Sequence, residues 1–85
     1  MTETLRSMAR VVEDFLVQQI EHAEAKHLPA RAYDLIREVA RLATDEMAEE
    51  VTRSYVAGLL WDLVHADCLD VSSSGRVSIV RPTAD

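Results

Sequence analysis

Just past Asp67 the rhythm of apolar side chains changes from one face of a rod to the two faces of a flap. Upstream, Val56, Leu59, Leu60, Leu63 and Val64 recur at spacings of three and four, the stripe of an amphipathic helix. Downstream, Leu69 and Val71 alternate with Asp70, and Val77 and Ile79 alternate with Arg76 and Ser78. The SSSG between these segments supplies turn residues and, in Gly75, a backbone free to take positive φ. Such a chain ends in a helix that runs straight into a two-stranded hairpin, which confines it to mainly α architectures with a C-terminal flap. Arg81 and Pro82 follow, and Pro stops strand pairing except at an edge, so residues 82–85 are expected to form a tail.

Earlier segments read as helices throughout. In residues 2–26, Leu5, Met8, Val12, Phe15, Leu16 and Ile20 form one stripe, with Arg6, Arg10, Glu13, Asp14, Glu21 and Glu24 mostly opposite. The series Leu5, Met8, Val12, Phe15 is also a heptad pattern that suits a partner helix, although it lapses at Gln19 and His22. This helix therefore has two available roles, packing on its own domain and meeting a second copy. Pro29 disfavours helix at Leu28 and suits the first turn of a new one, which predicts a break at residues 27–29. The second helix is expected to reach Ala43, with Ala32, Leu35, Ile36, Val39, Ala40 and Leu42 inward and Arg31, Asp34, Arg37, Glu38 and Arg41 outward. Thr44 followed by Asp45 and Glu46 reads as the capped start of a third, short helix over 45–51. Thr52 or Ser54 can cap the last helix, and nothing between Val51 and Ser54 is a strong breaker.

At 85 residues, 48% hydrophobic and 28% charged, the chain is expected to fold as one domain, with 1–28 as an N-terminal amphipathic helix and 29–81 as the body. Apolar runs are too short to cross a bilayer and the N-terminus lacks a secretory signal pattern, so a cytoplasmic location without membrane contact is expected. Cys68, the single cysteine, is expected to be a buried thiol and Tyr33 to sit at the core edge. Net charge is −6. Residues 1–51 hold eleven acids against six bases, and 52–85 hold four against three, so the C-terminal end is the less acidic one.

Helix, short helix, turn, apolar helix, hairpin: in that order, residues 30–80 resemble the winged helix-turn-helix domains of small bacterial transcription regulators. TDEMAEEV (44–51) is similar to the first helix of the helix-turn-helix pair, TRSYVAGLLWDLVHADCLDV (52–71) to the recognition helix with its first wing strand, and SSSGRVSIV (72–80) to the wing. The N-terminal helix is then an extra element, of the kind such regulators use to dimerise. The family's turn is longer than the stretch from Val51 to Val56 provides, and Asp67 and Cys68 stand where a Gly commonly ends the recognition helix.

For function, the resemblance implies a DNA-binding regulator with Arg53, Ser54 and Tyr55 at the start of the recognition helix, Arg76 at the wing and Arg81 beside it. Arg offers a planar fork to guanine or phosphate, and Ser and Tyr hydroxyls hydrogen-bond phosphates. Three arginines release few counterions, so a homodimer with two sites about 34 Å apart belongs to this reading. A rival reading uses the acids: Asp45, Glu46, Glu49 and Glu50, with Trp61 as an anchor, would attract a basic protein surface and make the chain an adaptor, or an inhibitor of a nucleic-acid-binding protein of the phage-encoded kind. The plainest alternative for those acids is a solvated face. Catalysis is not expected. His22, His27 and His65 are scattered, no Ser has a neighbouring base, and with only Gly58 and Gly75 there is no phosphate-cradling loop; no cofactor or metal is implied.

Overall fold

A computed structural model describes residues 7–81 as three helices, α1 (Met8–Ala25), α2 (Ala32–Met47) and α3 (Arg53–His65), followed by strands β1 (Leu69–Val71) and β2 (Val77–Ile79). Helix, then antiparallel hairpin, is the outcome that the change of period demanded. Leu69 pairs with Ile79, Asp70 with Ser78 and Val71 with Val77. The turn closes through Ser72: its amide donates to the Arg76 carbonyl, its carbonyl accepts from Gly75, and its hydroxyl accepts from the Arg76 amide. Gly75 sits at φ 85°, where a side chain would strain the backbone.

Helix starts and stops follow from local chemistry. Ser7 caps α1 by accepting from the Arg10 amide at 3.2 Å, and Thr52 caps α3 by accepting from Tyr55 at 3.1 Å. At its other end α1 closes with His27 at φ 58°, its amide on the Glu24 carbonyl and the Leu28 amide on Ala23, and Pro29 then prevents resumption. The α3 terminus repeats this motif with Asp67 at φ 62°, Asp67 bonding Val64 and Cys68 bonding Leu63. Asp, which tolerates the left-handed region better than most residues, thus takes the place of the expected glycine.

The second helix departs from expectation. There is no break at Thr44 and no separate helix over 45–51; α2 continues to Met47 and ends at Ala48, φ 57°. Thr44 lies inside the helix, and its hydroxyl turns to Val51, accepting from that amide at 2.9 Å and reaching its carbonyl at 3.3 Å. It pins the turn rather than capping a helix. Two consequences follow: the turn before α3 spans residues 48–52, longer than the sequence suggested, and Asp45 and Glu46 lie at a helix C-terminus, where the dipole disfavours negative charge.

One continuous core joins every element. Val11, Val12, Leu16 and Ile20 of α1, Leu35, Val39, Ala40 and Ala43 of α2, Val56 and Leu60 of α3, and Leu69 and Val77 of the hairpin are all buried. The α1 stripe packs on its own domain: Val12 is wholly buried, and Met8 and Phe15 are half-buried against the core. Leu5 lies outside the described residues. Two further expectations are corrected. Cys68 is exposed, because the left-handed Asp67 turns the chain there before the strand begins, and Tyr33 is 65% exposed on the first turn of α2.

Candidate nucleic-acid interface

Placing Thr52 as the cap puts Arg53, Ser54 and Tyr55 in the first turn of α3, all exposed. They stand at the positive end of that helix's dipole. Beside them the C-terminal half of α2 and the following turn enclose an open cleft of about 740 Å³, lined by Arg37, Arg41, Thr44, Glu50, Arg53 and Ser54 among others. The exposed side of α3 continues through Gly58, Trp61, Asp62 and His65, with Trp61 46% exposed.

The arginines divide into two groups. Arg10 is ion-paired with Asp14 at 3.7 Å, Arg37 with Asp34 at 3.2 Å, and Arg41 with Glu38 and, at 3.9 Å, Asp45. Arg37 also lies over the Tyr33 ring. The hydrogen bond from Arg41 holds the Glu38 carboxyl below its ordinary range, and the same bond raises the Arg41 guanidinium. Arg81, expected beside the wing as a contact, is held by Glu24 of α1 at 3.0 Å, a bond that raises its guanidinium. Among the described residues Arg31, Arg53 and Arg76 have no ion pair.

Arg76 and Arg31 are brought together in a way the sequence did not indicate. Arg31 precedes α2 in extended conformation and forms an isolated antiparallel bridge with Arg76, which adds a third, minimal strand on the free side of β2. A pairing one residue long has no periodicity, so the sequence pattern places Arg31 on the outer face of a helix. Only the Pro29 break hints at extended chain there.

The acidic candidates are also exposed. Asp45 and Glu46 occupy the last turn of α2 and Glu49 and Glu50 the turn beyond it, so the four do not share one helix. Asp45 is partly neutralised by Arg41, and Glu46 lines a shallow recess with Val11, Asp14, Phe15 and Gln18. No group of three or more His, Cys, Asp or Glu is placed to hold a metal ion among the described residues, and no described helix is long and apolar enough to cross a membrane.

Comparison with known proteins gives no match to a family model, a curated protein or a solved structure. What defines the chain is its architecture: three helices and a C-terminal antiparallel hairpin, an arrangement compatible with a winged helix. The order of elements carries that likeness by itself.

Proposed function

We propose that this chain is a small winged-helix DNA-binding regulator, with the first turn of α3 meeting the major groove and the hairpin side meeting flanking phosphates. One observation supports it above the rest. The arginines left without an acidic partner among the described residues, Arg31, Arg53 and Arg76, are those at the start of α3 and at the hairpin, whereas Arg10, Arg37, Arg41 and Arg81 are engaged. In a chain of net charge −6, partnerless cations at these places suit an external anion. The expected affinity of a single copy is modest, with a salt slope of about −3 for three phosphate contacts, and a homodimer would double both contacts and slope. Fluorescence anisotropy with labelled random duplex at low salt tests this. Binding that weakens in Arg53→Ala together with a shallower slope supports it, and no binding at about 50 μM protein, a concentration on the scale of nonspecific affinities, overturns it.

A second reading is favoured by the acids at the C-terminal end of α2, which the fold disfavours and so does not itself require. In it, Asp45, Glu46, Glu49 and Glu50, with the exposed Trp61 of α3 as a further anchor, dock a basic protein surface, as an adaptor or inhibitor does. Salt-sensitive binding to an Arg-rich peptide, lost in the Glu49→Gln, Glu50→Gln double variant and unaccompanied by duplex binding, would select this reading instead.

A further inference from the structure

The bridge between Arg31 and Arg76 has a defined geometry. The Ala32 amide donates to the Gly75 carbonyl at 2.8 Å and the Val77 amide to the Ala30 carbonyl at 2.7 Å. These bonds flank the two arginines, which makes them a non-hydrogen-bonded antiparallel pair, the closer kind, with Cα atoms about 4.5 Å apart and side chains on one face. Their neighbours Ala30 and Val77 are buried, so strand alternation turns both guanidinium groups outward, and neither arginine is buried.

Like charges directly opposed across a ladder repel. Neither arginine has an ion pair among the described residues to offset this repulsion. The nearest acid along the chain from Arg31, Asp34 in the first turn of α2, is bonded to Arg37 at 3.2 Å. An acidic chain that sets two cations side by side and gives neither an ion pair among the described residues has a site suited to a counterion from outside.

We infer that Arg31 and Arg76 form a clamp for one phosphate group. Two planar forks side by side on one face, each with five N–H donors, suit the several acceptor oxygens of a phosphate, and the positive end of the α2 dipole adds to the attraction. Arg31 is the residue before α2 and makes no capping bond of its own, which leaves its side chain available. That the phosphate belongs to a DNA backbone rests on the function proposed above; that the clamp takes phosphate does not.

The two claims are tested separately. Without nucleic acid, thermal unfolding is compared in inorganic phosphate and in chloride at matched ionic strength. Wild type and Arg53→Gln are expected to gain the same phosphate-specific rise in Tm, and Arg31→Gln and Arg76→Gln to lose it. A rise retained in both clamp variants overturns the clamp, because general exclusion of phosphate from the surface stabilises every variant alike. With duplex, each single variant is expected to weaken binding roughly tenfold, and the double variant little more, since one site is lost either way. Duplex binding unchanged by Arg31→Gln but weakened by Arg53→Gln overturns the clamp and leaves DNA binding standing. A phosphate-specific rise without duplex binding upholds the clamp, assigns it to a free phosphate and overturns the DNA reading.

Discussion

Ala48 holds its backbone at φ 57°, where its Cβ crowds the following carbonyl at a cost of about 1 kcal/mol that glycine does not incur. Ala48→Gly is therefore expected to raise stability by roughly 0.5–1 kcal/mol despite the greater freedom of the unfolded chain, read as a higher urea midpoint. Thr44 works the other way. Its hydroxyl serves both backbone groups of Val51, so Thr44→Val, similar in shape but unable to bond, should cost roughly 1–3 kcal/mol by leaving a part-buried amide unmet. Glu38 gives a pH signature. The hydrogen bond from Arg41 lowers its folded pKa, so its small contribution is present above the ordinary carboxylate range and fades as pH falls through the lowered value. Its carboxyl titration, followed by NMR, should move upward in Arg41→Gln.

At the scale of elements, α3 carries a glycine that the fold does not need. Gly58 sits mid-helix without a positive φ, and a Cβ added there would meet nothing within 4 Å. Gly58→Ala should therefore stabilise by about 1 kcal/mol, visible as a raised Tm by circular dichroism. This scale also shows what the sequence makes legible. The hairpin is readable because its twofold alternation and SSSG turn are local signals, and the break at Pro29 because a proline acts within a turn of the chain, whereas Thr52 reads only as one of two possible caps. The end of α2 is not, because Thr44 beside two acids has the composition of a cap, while its actual partner lies seven residues ahead at Val51. Arg53, Ser54, Tyr55 and Arg76 can be found one at a time as candidate surface residues. The Arg31–Arg76 and Arg81–Glu24 pairs cannot, since both depend on residues brought together only by the tertiary fold.

For the whole molecule, a chain of 85 residues has one core and little surplus, burying roughly 60–65% of its unfolded surface. Leu60 is fully enclosed where α3 meets the other elements, and Leu60→Ala should cost roughly 2–5 kcal/mol, a large share of a small domain's stability. Circular dichroism of that variant should show a population already unfolded at 37 °C or a sharply lowered denaturant midpoint.

The contact between residue 31 and the hairpin also governs how the molecule behaves among its own copies. The Ala30 carbonyl and Ala32 amide cover only the start of β2, and the borders left open are those of strands three residues long, β1 with an aspartate at its centre. A border so short and charged is a poor template for annealing a foreign strand, so concentrated solutions of the native protein should resist the sheet-to-sheet growth that bare hairpins invite.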